Sequence, residues 1–234
     1  MRVNTLTREK IEDFAKRLGF DLVGFSPAQI QSHYLEAFQK WLKDGNEGEM
    51  KYMQKIKERS DLTEILPGAK TVIVVAMNYY YEQEVLKEGH GRVARYAYGR
   101  DYHKIITKKL KELQRFIEEN EPDSSNKLYV DTGPIIERAF AEQAGIGSVG
   151  KNSCIITKEF GSWVFIGEII TTLELAATTK SPENPCGTCT KCMDACPTGA
   201  IIAPGVIDSR LCISYLTIEN KDEIHADLAK KIKE

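Results

Sequence analysis

The chain has 234 residues, 42% of them hydrophobic and 28% charged, with a formal net charge of -2, which is enough apolar material for one substantial core and a smaller second unit. No stretch reaches the roughly 20 apolar residues of a membrane span, and the segment from Met1 to Asp13 is charged from its start, unlike an export signal, so a cytoplasmic location with no membrane partner is expected. A balance this near zero excludes wholesale electrostatic coating of nucleic acid but leaves room for local concentrations of charge.

Thr7 is placed to cap a first helix whose apolar Ile11, Phe14, Ala15 and Leu18 recur at helical spacing until Gly19 stops it. A strand over 21–25 and a helix over about 28–42 follow. The β-branched run 71–76, entered through the turn at Pro67-Gly68, reads as a buried strand. Over 103–119, Ile106, Leu110, Leu113 and Ile117 make one face of a long amphipathic helix, with Asp101 as its cap. A short strand at 128–130 leads to Pro134, which fits the first turn of a helix running over 135–144 and ended by Gly145 and Gly147. Segments 154–157 and 163–171 read as a hairpin joined through Gly161. The stretch 176–185, with Thr, Ser, Asn and two prolines, reads as a linker that divides the chain into units 1–175 and 176–234. The mixture predicts an α+β (mixed α/β) main domain followed by a partial ferredoxin-like cluster domain.

Six cysteines could form three disulfides, but four of them fall between 186 and 196, and no secretory segment directs the chain to an oxidising compartment. Cys186-Gly-Thr-Cys189-Thr-Lys-Cys192-Met-Asp-Ala-Cys196-Pro197 has the bacterial ferredoxin spacing. Its thiolates ligate the irons of a [4Fe–4S] cluster, and in two-cluster proteins the cysteine before proline serves the other cluster. Zinc pairs are normally separated by roughly 15 to 20 residues so that four sulfurs can surround one ion, and these cysteines are more crowded than that. Pro197, Thr198 and Gly199 are expected to begin a helix leading away. Cys212 reads as an apolar filler or, given its nearness to the run, as a further ligand; Cys154 in the expected hairpin reads as core. Two cubanes need about eight thiolates, so a chain with six cysteines is expected to hold a partial ligand set.

Asp131 follows an apolar strand and precedes Thr132-Gly133-Pro134, a turn of the kind that displays functional side chains. It reads either as a helix N-cap or as a carboxyl able to give a proton. From Arg92 to Lys111 there are seven Lys or Arg and one acid, Asp101, interleaved with Tyr96, Tyr98 and Tyr102. Such a stretch can neutralise phosphates while rings stack on unpaired bases; Lys104, Lys108 and Lys111 equally suit a solvated helix face, so residues 92–100 are the better candidates. Glycine-rich nucleotide loops are missing, and electrons are expected from an external donor.

Together these blocks resemble the cobalamin-dependent epoxyqueuosine reductases, iron–sulfur enzymes of tRNA modification. The likeness is carried by Arg95-Tyr-Ala-Tyr-Gly-Arg-Asp-Tyr-His103, Val130-Asp-Thr-Gly-Pro134, Glu137-Arg-Ala139, Ala144-Gly-Ile-Gly147, Gly150-Lys-Asn152, Gly161-Ser-Trp-Val-Phe165, the cysteine run and Cys212-Ile-Ser-Tyr-Leu-Thr217. The resemblance implies reduction of epoxyqueuosine to queuosine in tRNA with loss of water, electrons passing from two [4Fe–4S] clusters to cobalamin bound in the first domain. It implies that Asp131 is the proton donor and lies against the cofactor, that Arg59, Ala94, Ile155, Ile166 and Ser214 contact the corrinoid, and that Cys196 and Cys212 serve the second cluster. The partner it implies is a tRNA anticodon loop, met by a monomer. Asp101-Tyr-His103 only partly matches the histidine signature of other cobalamin proteins, and no bond from His103 to cobalt is expected. Ser148 stands where the family usually has an aromatic residue. Family members continue past the point matching Glu234 into a second cysteine motif, so the cluster domain here is expected to be incomplete and activity to depend on the missing ligands. A ferredoxin-like electron carrier and a corrinoid reductase of a small molecule are the alternative readings.

Overall fold

The computed structural model describes residues 6–82, 89, 93–179 and 183–232. Arg92 and part of the expected linker, 180–182, lie outside the described residues. In chain order, α1 (Arg8–Arg17) and β1 (Leu22–Pro27) are followed by α2 (Ser32–Lys43), the short α3 (Ile56–Ser60), β2 (Thr71–Asn78), the long α4 (Tyr102–Asn120) and β3 (Asn126–Tyr129). Then come α5 (Glu137–Gln143), the two-residue strands β4 (Ser148–Val149) and β5 (Ile155–Ile156), β6 (Val164–Thr171), α6 (Lys191–Asp194), β7 (Ile201–Ala203), β8 (Val206–Ile207) and α7 (Ala226–Ala229). The mixture is the expected α+β one.

Strands β1, β2, β6 and β3 form, in that order, an antiparallel sheet. Side chains alternate along a strand, and both faces of this sheet are covered, which is why β2 is apolar at successive positions. Ile73 and Val75 pack with Ile11 and Ala15 of α1 and with Ile106, Leu110, Leu113 and Ile117 of α4. Val72, Val74 and Ala76 pack with Ala139, Phe140 and Ala141 of α5. Burying each large aliphatic side chain contributes roughly 1.5–3 kcal/mol, so the apolar stripe of α4 is a main anchor of its face. Two close approaches fix the layers. A Cβ on Gly24 would stand 2.1 Å from the Ala144 carbonyl oxygen, and one on Gly167 would stand 3.0 Å from both Ile106 and Leu110. Phe14 and Phe116 stack at 4.1 Å between α1 and α4.

Thr7 caps α1 by accepting the Lys10 N–H at 3.4 Å, and Asp101 caps α4 by accepting that of His103 at 3.0 Å. The helix expected from 28 starts instead at Ser32, because the Ala28 N–H bonds the Lys70 carbonyl at 2.9 Å and prolongs the β1 ladder. The expected hairpin is corrected: β5 pairs with β4, a Thr157–Gly161 bridge closes the turn, and β6 enters the main sheet between β2 and β3. No helix begins at Pro197, where a turn with Gly199 at φ 69° leads into the β7–β8 hairpin. The stretch read as a linker is pinned where it is described. Thr178 exchanges bonds with Phe25 at 2.9 and 3.0 Å, and the Glu183 carbonyl accepts the Ser148 hydroxyl at 3.0 Å.

The cysteine segment docks on the loop after α2. The Ser209 N–H reaches the Asn46 carbonyl at 2.9 Å, the Trp41 indole donates to Ile207 at 2.6 Å, and the Tyr215 hydroxyl accepts the Glu49 N–H at 2.8 Å. Among the described residues no helix is long and apolar enough to cross a membrane.

Candidate active site

Past the end of β3, Val130 is buried and Asp131 takes φ 62°, the left-handed conformation that aspartate tolerates better than most side chains. The turn is tight. The Thr132 N–H bonds the Val130 carbonyl at 2.7 Å, and a Cβ on Gly133 would stand 2.6 Å from the Tyr129 ring. Helix α5 then starts at Glu137 rather than at Pro134, with Ile136 in the cap position and no side-chain cap. Arg59 Nη1 takes the Ile135 carbonyl at 2.8 Å and so holds this backbone out of the helix. Asp131 is therefore not an N-cap, and its carboxylate is displayed.

That carboxylate is 59% exposed and oriented by α4. Its Oδ2 accepts the Tyr102 hydroxyl at 2.8 Å and lies 3.3 Å from His103 Nε2, while His103 Nδ1 lies 2.9 Å from Asp101 Oδ1. The Tyr102 ring stacks on Phe165 of β6 at 4.0 Å. Burial, and then the bond to Asp131, push the Tyr102 hydroxyl far above its ordinary value, so it remains a donor across the usable pH range.

Two acids behind Asp131 had no role in the sequence reading. Glu137 accepts the Asp131 backbone N–H, and burial followed by the Asp131 charge raises it to about 7. Glu168, in the middle of β6, is 0% exposed, and neither of its carboxyl oxygens has a hydrogen-bond partner among the described residues. Burial, then the charges of Glu137 and Asp131, raise it well above the carboxylate range. The available signal was a lone Glu at an inward position of the otherwise apolar run Ile166 to Ile170.

Arg59 is 6% exposed, and its Nε is enclosed without a partner. Ile155 and Ile166 pack against the core beneath α5 and give an apolar floor, whereas Ala94 and Ser214 are exposed. An orphaned guanidinium nitrogen and the apolar side chains of Ile155 and Ile166 are the kinds of group that suit a large ring bearing amide side chains. Beside them Arg95 stacks on Tyr80 and Trp163 at 4.9 and 4.8 Å, and Tyr80, Tyr81, Tyr96 and Tyr98 expose their rings. Lys104, Lys108 and Lys111 line a hollow of about 550 Å³ with Asp101 and His103. A larger cavity of about 880 Å³, bounded by Gln29, Tyr34 and Glu142, lies away from Asp131.

In the cysteine segment, Cys186 Sγ accepts the Lys151 N–H at 3.4 Å, and Lys151 Nζ holds the carbonyls of Gly187 and Cys189 at 2.8 and 3.0 Å. Cys189 and Cys192 flank the start of α6, and Cys196 accepts the Ala200 N–H at 3.3 Å. Burial raises the Cys196 thiol, but donors on Ile201, Thr198 and Ala200 outweigh it and bring it below its ordinary value, favouring the thiolate that iron requires. Cys212 is half-buried at the end of the turn 209–211, and Cys154 is exposed rather than core. Among the described residues no three His, Cys, Asp or Glu side chains are gathered tightly enough for a single metal ion. In a cubane each thiolate binds its own iron, so its ligand sulfurs stand farther apart than those around one ion, and the run fits a cluster.

An antiparallel sheet that displays one acid at a strand end, with a ferredoxin-spaced cysteine segment docked beside it, defines an iron–sulfur redox protein. The family model for a 4Fe-4S double cluster binding domain matches residues 185–234, and that for epoxyqueuosine reductase QueG matches 59–132. The chain belongs to the epoxyqueuosine reductase family. It is 48% identical over 216 residues to the epoxyqueuosine reductase of Gloeobacter violaceus, covering 92% of this chain and 67% of that protein. A crystal structure of epoxyqueuosine reductase with an epoxyqueuosine-modified tRNA stem loop superimposes with a TM-score of 0.89 at 33% identity, over 96% of this chain and 60% of that one. The Bacillus subtilis enzyme, solved with its catalytic aspartate loop swung out of the active site, gives 0.85 at 31% identity, with the same coverage of 96% and 60%. The chain thus spans about three fifths of the solved relatives' length.

Proposed function

We propose that this chain carries out the reduction of epoxyqueuosine to queuosine in tRNA, with Asp131 as the group that protonates the epoxide oxygen. The observation behind this is the Asp131 loop: a carboxyl presented at φ 62° and held on one oxygen by Tyr102 and His103. Both contacts fall on Oδ2, which leaves Oδ1 to face a substrate. Loops that hold a side chain in a sparsely populated conformation cluster at functional sites. The likeness to a reductase solved with an epoxyqueuosine-modified stem loop, and to one described by its catalytic aspartate loop, supports the same reading.

Arg59, Ala94, Ile155, Ile166 and Ser214 would hold the corrinoid; Cys186, Cys189 and Cys192 would serve one cluster, and Cys196 and Cys212 the other. When bound, the corrinoid supplies a reducible cobalt centre and the clusters supply one-electron carriers. The exposed rings of Tyr80, Tyr96 and Tyr98, with Arg95 and Arg100, would stack on and neutralise an unpaired anticodon loop. Residues 1–175 would form the substrate and corrinoid unit and 176–234 the cluster unit, acting as a monomer in the cytoplasm with an external electron donor.

The test is protein purified anaerobically, assayed for iron, sulfide and corrinoid, then given a low-potential reductant and an epoxyqueuosine-containing stem loop. Conversion of the epoxide, with binding that weakens steeply with salt, is expected. Cluster- and corrinoid-loaded protein that leaves the epoxide intact would overturn the assignment.

A further inference from the structure

The turn between β4 and β5 grips the cysteine segment at both ends. Ahead of the run, the Ser148 hydroxyl donates to the Glu183 carbonyl at 3.0 Å. Beyond it, the Ser153 hydroxyl donates to the Gly205 carbonyl at 2.8 Å, and the Gly205 N–H bonds the Lys151 carbonyl at 2.9 Å. The turn is tightly closed: the Gly150 N–H bonds the Cys154 carbonyl at 2.8 Å and the Ser153 N–H bonds the Gly150 carbonyl at 2.9 Å. Ser153 takes φ 61° and, among the described residues, shares the left-handed region with one other non-glycine, Asp131. Such conformations cluster at functional sites. Lys151 stands at the centre of the turn and presents two groups to the cysteine loop. Its backbone N–H points at Cys186 Sγ, 3.4 Å away, and its ammonium reaches the carbonyls of Gly187 and Cys189 at 2.8 and 3.0 Å. Both of these Nζ bonds go to neutral carbonyls, so a full positive charge is fixed between two of the candidate ligands.

We propose that Lys151 tunes the cluster served by Cys186, Cys189 and Cys192, its ammonium raising the reduction potential of that cluster. This rests on the ligand assignment proposed above. Lys151 acts on a one-electron step: an external low-potential donor is oxidised by one electron, the thiolate-bound cluster gains one negative charge, and no bond in the protein forms or breaks. The potentials of such clusters follow net charge, hydrogen bonds to the sulfurs and solvent exposure. A cation held on the ligand loop stabilises the more negative, reduced form. In partly solvated surroundings a fixed unit charge is worth about a factor of ten in such an equilibrium, ~59 mV for a one-electron couple. The two carbonyls alone do not require a charge, because a neutral amide can also donate to them. Ile155, on the second strand of the same hairpin, is a corrinoid contact proposed above, so one turn joins the ligand loop to the floor of the other cofactor.

Lys151→Gln isolates the charge, since its amide still donates to a carbonyl and the backbone N–H on Cys186 is untouched. The measurement is a potentiometric titration of anaerobically purified protein without substrate, the reduced cluster being read by electron paramagnetic resonance. Lys151→Gln should keep the wild-type iron and sulfide content but show a midpoint lower by ~59 mV, a tenfold weaker reduction equilibrium. Lys151→Arg, which restores the charge, should return the midpoint to the wild-type value. A signal from a cluster bound through Cys196 and Cys212 should move less. An unchanged midpoint in Lys151→Gln overturns the proposal. Loss of iron from Lys151→Gln while Lys151→Arg retains it would make the residue an anchor for the loop and overturn the tuning role as well. Wild type that holds neither iron nor sulfide would sink the ligand assignment and the proposal together. The expected shift, in a protein whose wild type reduces no epoxide, would support the tuning role and sink the substrate assignment alone.

Discussion

The two faces of the central sheet are built from the same kind of strand but do different work. On the α1 and α4 face, Ile73, Val75, Leu110 and Ile117 meet in an apolar cluster, and among the described residues no acid is fully buried there. On the α5 face, the comparable cluster surrounds Glu168 and borders Glu137, Arg59 and the Asp131 loop. A buried unpartnered acid is a cost to folding. Its presence on one face only marks that face as the one shaped by chemistry and the other as the one that holds the molecule together.

The contrast is tested most severely at Asp131. Asparagine also tolerates a positive φ and can accept the Tyr102 hydroxyl, so Asp131→Asn should leave the fold and corrinoid affinity as they are. It cannot give the proton, and single-turnover reduction should fall by about 10²–10⁴-fold. Turnover at the wild-type rate would remove Asp131 from the reaction and, with it, the functional meaning of the α5 face.

The opposite face should answer the opposite way. Leu110 is fully buried between α4 and β6, and Leu110→Ala should cost about 2–5 kcal/mol of stability, read as a lower urea midpoint. Turnover of the folded protein should change little. A large loss of turnover in protein that is still folded would show that the faces are coupled through α4, whose first turn carries Tyr102 and His103.

Sequence periodicity made the structural face legible almost completely. Both ends of α1, the Asp101 cap and the four buried residues of α4 are readable because a helix repeats its apolar residues locally. What it could not reveal is long-range. The β6 partnership with β2 and β3 depends on residues far apart in sequence, and a hairpin with the preceding segment satisfies the same local pattern. The cysteine run was readable from spacing alone, whereas the cap reading of Asp131 is removed only by long-range structure: Arg59 holds Ile135, and the helix starts at Glu137. Glu137 and Glu168 stayed silent because burial of an acid is a property of the packed core, not of its neighbours in the chain.

That silence can be broken by a pH titration of stability. Glu137 is raised from 4.5 in the unfolded chain to about 7 in the folded one, so between those values the native state binds the extra proton. The Glu137 contribution to stability should therefore be full below about 4.5 and fall as the pH rises towards 7, by up to about 3 kcal/mol for a shift of this size. Glu168, raised in the same direction, adds a fall of the same sign that continues to higher pH. Glu137→Gln is neutral throughout and should flatten the lower part of the profile in urea unfolding between pH 5 and 8, leaving the Glu168 part in place. An ordinary ion-paired carboxylate at Glu137, ionised in both states over this interval, would leave stability flat there. A wild-type profile that Glu137→Gln does not flatten would mean that Arg59 and Arg138 hold Glu137 ionised, and the α5 face would then carry a buried ion pair in place of a buried neutral acid.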